Sequence, residues 1–298
     1  MKELTTANGT IIPPVGLGTY PFQGRQMADI VKEAFKIGYR LIDTSDDYRG
    51  ESGIGLGVSE AVKEGIVKRE DVFLQTKVSQ DNAYADEPLE GMYFNRFSPF
   101  MQRHTVDELV REKVATSLEE MKTDYIDSLL IHYPFPGYIE EIWETMMALK
   151  KEGKVRYIGV SNFHAHHIDL LKKKGETPSI NQIYISPMNV QKDMVDYAER
   201  VALRLMTYSP LMDLRQGKID LNVIAPIAAK YQKSGAQIIL RWNIEIGSIP
   251  LPRSSKVERM KQNFDVLDFH LSREEVETIS SLHRDYQYLV QSKICPGI

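Results

Sequence analysis

The chain has 298 residues, 42% of them hydrophobic, with 37 Lys+Arg against 41 Asp+Glu. A chain of that size and apolar content buries a large core, which excludes a disordered tail protein and a small disulfide scaffold. The formal charge of −4 and the scatter of its basic residues give no electrostatic footprint for a nucleic-acid backbone.

The single cysteine, Cys295, allows no intramolecular disulfide and no cysteine-based zinc site, which fits a reducing compartment. The opening run from Met1 to Thr6 has no apolar signal core, and no apolar stretch approaches the roughly 18 residues of a membrane helix. The expectation is a cytoplasmic protein with no membrane or nucleic-acid partner, present as a monomer or a small homo-oligomer.

Taken in chain order, Ala7-Asn8-Gly9-Thr10 predicts a small hairpin, placed to plug one end of whatever follows. Eight strand-like runs then begin near Val15, Tyr39, Val72, Ile126, Val155, Ile180, Arg204 and Ser248, each followed by helical periodicity. Met27 to Ile37 carries Ile30, Val31, Ala34 and Phe35 on one face. Thr105-Val106-Asp107-Glu108 is a capping box before a helix with Val106, Leu109, Val110, Val114, Leu118 and Met121 in one stripe. Ser272 to Glu275 opens a late helix in the same way.

Eight strand–helix units with no Pro/Gly/Ser-rich linker predict an α/β fold: one closed (β/α)8 TIM barrel over residues 1–298, with an N-terminal β-hairpin. An open doubly wound sheet is the rival. The barrel would carry a long insertion after its third strand, since residues 79–104 far exceed the usual strand-to-helix loop of about 2 to 6 residues. Its Tyr84, Met92, Tyr93, Phe94, Phe97, Phe100 and Met101 predict a lid over a bulky or apolar substrate, with Arg96 or Arg103 available to an anion. The alternative is an outer-wall or assembly surface.

Two glycine clusters imitate a dinucleotide fingerprint, Gly16-Leu17-Gly18 ahead of Pro21 and Gly55-Leu56-Gly57 ahead of Glu60. Pro21 and Glu60 stand where that fingerprint needs Gly or Ala, so tight strand ends and close helix packing explain the glycines better. His164-Ala165-His166-His167 gathers three imidazoles without a further ligand at metal-site spacing, so it reads as a solvated helix start, and no metal is expected.

On a barrel, residues at the C-terminal strand ends share one cavity. Asp43, Lys77 and His132 each close an apolar run, and Tyr48 follows Asp43 by five residues. A tyrosine is too weak an acid to donate readily near neutrality, but an adjacent ammonium stabilises its phenolate and a carboxylate keeps that ammonium charged. The four residues therefore read as a proton donor, Tyr48, tuned by Lys77 and Asp43, with His132 orienting a carbonyl. The bland alternative is a buried ion pair, a core tyrosine and a hydrogen-bonded histidine.

At these residues the chain resembles the aldo-keto reductases, from about Gly16 to Leu271. The likeness rests on Asp43 to Tyr48 with Glu51 and Gly55, Thr76-Lys77-Val78, and Asp127 to Pro134. It continues through Gly159 to Phe163, Asn181-Gln182, Tyr208-Ser209-Pro210-Leu211 and Pro252-Arg253-Ser254 with Arg259 and Asn263, all in family order. The resemblance implies a barrel that binds NADP(H) without a dinucleotide fold, with Asp43, Tyr48, Lys77 and His132 as catalytic residues. It implies that Tyr208 stacks on the nicotinamide and that Ser161, Asn162 and Gln182 hold its carboxamide. It further implies that Arg253, Ser254 and Arg259 grip the 2′-phosphate, and that Gln262 and Asn263 meet the adenine. Gly18, Thr19, Asp43, Ser209 and Leu211 would also touch the cofactor.

Tyr20 and Tyr133 would join Tyr48 and His132 around a small-molecule carbonyl substrate. Tyr184, Arg253, Gln262 and Tyr133 depart from residues common in the family, which bears on cofactor affinity and substrate choice. Histidine at position 132 favours carbonyl reduction, because relatives that reduce conjugated carbon–carbon bonds carry Glu there. The implied activity is NADPH-dependent reduction of an aldehyde or ketone. The rivals are a cofactor-holding regulatory or channel-type subunit with little turnover, and a cofactor-free isomerase or lyase.

Overall fold

The computed structural model describes residues 4–5, 11–79, 103–134 and 137–286. Strands β1 (Leu4–Thr5) and β2 (Ile11–Ile12) pair antiparallel, Leu4 opposite Ile12, as a hairpin requires. The Asn8-Gly9 turn expected to join them lies outside the described residues, as does most of the 79–104 insertion with its lid aromatics. Ile12 is fully buried in a cluster with Leu41, Phe73, Ile180, Met206 and Ile249, which come from the barrel strands. Leu41, Phe73 and Ile180 open their strands, so the hairpin closes the N-terminal end of the barrel, as its turn signal led us to expect.

Eight parallel strands follow: β3 (Gly16–Gly18), β4 (Leu41–Asp43), β5 (Phe73–Val78), β6 (Ile126–Ile131), β7 (Val155–Ser161), β8 (Ile180–Ile183), β9 (Arg204–Tyr208) and β10 (Ser248–Leu251). Each pairs with the next in chain order. The Gly18 amide donates to the Pro252 carbonyl at 3.1 Å, which ties the last strand back to the first. The architecture is the expected (β/α)8 barrel and not an open sheet.

Helices α1 (Gly24–Ile37), α2 (Glu51–Lys63), α3 (Val106–Glu120), α4 (Ile139–Lys151), α5 (Ala165–Lys172) and α6 (Lys192–Val201) alternate with the strands. Helices α7 (Met212–Arg215), α8 (Leu221–Tyr231) and α9 (Gly235–Glu245) precede β10, and α10 (Val257–Phe264) and α11 (Arg273–Ser280) follow it. The capping boxes at Thr105 and Ser272 form with both reciprocal bonds, fixing where α3 and α11 begin. Ile30, Val31, Ala34 and Phe35 of α1 and Val106, Leu109, Val110 and Val114 of α3 are buried in the core between helices and barrel, with Leu118 half-buried. Among the described residues no helix is long and apolar enough to cross a membrane.

The glycines serve packing. A Cβ on Gly55 would stand 2.2 Å from the Glu120 carbonyl oxygen, and one on Gly57 would stand 2.7 Å from the Ala28 carbonyl oxygen. Helix α2 therefore touches the end of α3 and the flank of α1 through bare backbone. The histidine cluster departs from the solvated start that its sequence suggested. His164 and His166 are exposed, but His167 is buried, its Nδ1 accepting from the His164 amide at 3.1 Å. A half-buried helix edge needs an acceptor for that amide, and the imidazole supplies it. Among the described residues no group of three or more His, Cys, Asp or Glu side chains has metal-holding geometry.

Candidate active site

Side chains alternate along a strand, so Gln75 and Lys77 of β5 share the inward face while Thr76 turns outward to Glu51 of α2. Inside the barrel, Lys77 Nζ lies 3.0 and 3.2 Å from the two Asp43 carboxylate oxygens and donates to the Thr44 carbonyl at 2.7 Å. Asp43 Oδ1 also accepts from the Gln75 amide at 2.8 Å and the Gln182 amide at 2.7 Å. The pair is buried, so these extra donors offset part of the desolvation that an isolated pair would suffer.

Beyond β4 the chain makes one 3-10 turn, Asp46–Tyr48, closed by the Tyr48 amide on the Ser45 carbonyl and ended by Arg49 in the left-handed region. That turn brings Tyr48 back over the barrel mouth, its ring centre 5.0 Å from Lys77 Nζ and 5.9 Å from the His132 ring. His132 stands one residue past β6, stacked on Tyr133 with ring centres 4.8 Å apart. Its Nδ1 is 2.9 Å from Ser79 Oγ and 3.3 Å from Ser45 Oγ. Burial first, then the Lys77 charge, pushes its pKa down to about 3, so the imidazole is neutral at ordinary pH. The structure thus brings together the four residues that the sequence singled out.

Around them runs a cleft lined by Gly18, Thr19, Tyr20, Ser161, Asn162 and Gln182, with Tyr208, Ser209, Leu251 and Arg253 further along. A polar ladder crosses its floor. Ser161 donates to the Gln182 carbonyl at 2.8 Å, Asn162 donates to the His132 carbonyl at 3.1 Å, and the Tyr208 hydroxyl donates to Asn162 Oδ1 at 3.0 Å. Tyr184, one of the departures from family habit, donates with Ser186 to the buried Asp213, each at 2.5 Å. This anchors the short α7 that carries Met212 to the cleft. Arg259, Gln262 and Asn263 stand apart on α10, and Ser254 accepts the Lys256 amide at 3.0 Å just ahead of it. The guanidinium groups of Arg253 and Arg259 are exposed and have no ion-pair or hydrogen-bond partner among the described residues.

Sequence reasoning missed Gln75, Ser45, Asp47, Ser79 and Met212. Gln75 was findable, since a polar residue two places before Lys77 faces the same side of the strand. Ser79 and Asp47 offered no such signal, because one lies just past the end of β5 and the other in a single 3-10 turn, and the pattern fixes the direction of neither.

A family model described as "Aldo/keto reductase family" matches residues 14–284. The chain is 36% identical to the glyoxal reductase of Bacillus subtilis (strain 168), over 93% of this chain and 91% of that one. It is 33% identical to the methylglyoxal reductase DkgA of Escherichia coli (strain K12), over 92% and 91% of the two chains. The crystal structure of a Bombyx mori aldo-keto reductase in complex with NADP superposes with a TM-score of 0.83 at 32% identity, covering 96% of this chain and 94% of that one. Fold and likeness agree over nearly the whole chain, and the protein belongs to the aldo/keto reductase family.

Proposed function

We propose that the protein reduces small aldehydes and ketones with NADPH, Tyr48 giving the proton. The observation that carries this reading is the buried Asp43–Lys77 pair with its ammonium 5.0 Å from the ring of a tyrosine at a cleft. The glyoxal and methylglyoxal reductase relatives support a small carbonyl substrate, and the NADP complex supports the cofactor.

The residues present suit such a cofactor. Two exposed guanidinium groups without carboxylate partners among the described residues, Arg253 at the cleft and Arg259 on α10, have the planar donors that a 2′-phosphate takes. Ser254 joins them, and Gln262 and Asn263 would meet the adenine. Ser161, Asn162 and Gln182 would hold the nicotinamide carboxamide against Tyr208, with Gly18, Thr19, Ser209 and Leu211 along the remainder. When bound, the cofactor supplies a hydride for the carbonyl carbon.

Tyr48 passes its hydroxyl proton to the carbonyl oxygen as negative charge grows there. Lys77 stabilises the phenolate left behind, and Asp43, held by Gln75 and Gln182, fixes the ammonium where it is needed. His132 is neutral, so it orients the carbonyl oxygen by a hydrogen bond rather than by charge. Tyr20 and Tyr133, which line the cleft, would wall the substrate.

The test is Tyr48→Phe, which deletes the proton and keeps the ring. NADPH oxidation with glyoxal or methylglyoxal should fall at least ~100-fold while fluorescence titration shows NADPH bound as before. A variant retaining more than about a tenth of the parent rate sinks the assignment.

A further inference from the structure

At His132 Nδ1, among residues that do not line the cleft, lies a polar cluster to which the reading above gives no task. The Asp47 side chain is only 5% exposed, and neither of its oxygens takes a hydrogen bond of normal geometry. Buried carboxylates are rarely left this way. Its Oδ2 stands 3.7 Å from His132 Nδ1, the nitrogen that Ser79 Oγ approaches to 2.9 Å and Ser45 Oγ to 3.3 Å. The two hydroxyls are 3.2 Å from each other. With Nδ1 turned to the serines, Nε2 is the nitrogen left for the cleft.

A neutral imidazole has one N–H, and each serine has one proton to give. If Ser79 donates to Nδ1, the ring proton sits on Nε2 and can be offered to a carbonyl oxygen. If the hydroxyls donate toward a carboxylate instead, Nδ1 carries the proton and Nε2 becomes an acceptor, useless for holding a carbonyl. An ionised Asp47 draws the serine protons and the Nδ1 proton toward itself. A protonated Asp47 exerts no such pull and leaves Ser79 free to donate to Nδ1.

We propose that Asp47 is a positioning residue that acts on His132 across the 3.7 Å to its Nδ1, the nitrogen the Ser79 hydroxyl also meets, and that its protonation state sets which ring nitrogen carries the proton. This rests on the reading of His132 as the group that orients the substrate carbonyl. Burial raises the Asp47 pKa, while the Ser45 and Ser79 hydroxyls and the charges of Lys77 and Lys113 oppose that shift.

The other charged groups facing the cluster, among the described residues, are already matched. Asp46 of the same turn accepts from the Ser45 hydroxyl at 3.3 Å and from the Ser79 amide at 3.1 Å and pairs with Lys113 of α3 at 2.6 Å, while Lys77 of β5 pairs with Asp43 of β4. Asp47 is the one carboxylate of the cluster with no Lys or Arg partner among the described residues.

The experiment is 15N NMR of the full chain with labelled histidine, the His132 signals assigned with His132→Gln, recorded across pH without substrate or cofactor. The expected result is an Nε2–H tautomer at the acid end that gives way to Nδ1–H as pH rises, with kcat/KM for reduction falling about tenfold per pH unit beyond the same midpoint. Asp47→Asn and, independently, Ser79→Ala should abolish the pH-dependent exchange. A His132 tautomer that never changes with pH in the parent, or an exchange that persists at an unchanged midpoint in Asp47→Asn, overturns the proposal. The NMR readout needs no turnover, so loss of the reductase reading and loss of this one are told apart.

Discussion

Replacing Lys77 by Met asks how much of the chemistry depends on one buried charge. The ammonium lies 5.0 Å from the centre of the Tyr48 ring, over which a phenolate spreads its charge. At an effective dielectric constant of about 20, unit charges at that separation attract by about 3 kcal/mol. Losing that from the transition state lowers kcat roughly 200-fold. Removing the cation alone also strands Asp43 with only the Gln75 and Gln182 amides, which costs about 3 to 5 kcal/mol of stability. The Lys77→Met/Asp43→Asn double variant removes both charges and so recovers most of the stability but none of the rate. Steady-state NADPH oxidation, NADPH titration and urea unfolding on both variants separate the effects. If the double variant is stable, binds NADPH and still turns over at more than about a tenth of the parent rate, the electrostatic argument is refuted.

Arg259→Ala should weaken NADPH binding by about 1.5 to 3 kcal/mol and leave NADH binding nearly unchanged, since only one of the two carries the 2′-phosphate; equal losses by titration would make Arg259 structural. Glu51 is buried, accepts from Thr76 at 2.6 Å and Ser117 at 2.9 Å, and has its pKa raised by burial from 4.5 to about 7. The unfolded chain therefore releases this proton first, so stability is full below pH ~4.5 and declines toward pH ~7, by up to about 3 kcal/mol. Urea unfolding should show Glu51→Gln gaining on the parent between pH 5 and 8, and a difference constant with pH would contradict the assignment.

Much of the barrel was legible because apolar strand runs are short and sharply bounded. Five strands start at the expected residue, and the other three start one or two residues later, at Gly16, Leu41 and Phe73. Helix α1 starts three residues ahead of the periodic run, at Gly24, because its first turn is polar and has no side-chain cap to mark it. The quartet was legible for a related reason: a polar residue that closes an apolar strand faces the barrel mouth.

What escaped was set by loops and by burial of charge. Nothing in Asp46-Asp47 says that one carboxylate meets Lys113 while its neighbour turns to His132, since a single 3-10 turn divides them. Glu51 reads as an ordinary acidic residue at a helix start, yet it is enclosed between β5 and α3. Only the path of the chain reveals that.

The most direct test of the account is deuteride transfer. The protein is incubated with NADPH carrying deuterium at the transferable nicotinamide position and a small dicarbonyl, and the product is read by NMR. The account predicts an alcohol bearing one deuterium on the former carbonyl carbon, formed catalytically by the parent and at least ~100-fold more slowly by Tyr48→Phe. Tight NADPH binding with no deuterium in any product across a panel of aldehydes and ketones would contradict it, and would leave a cofactor-holding protein that does not turn over.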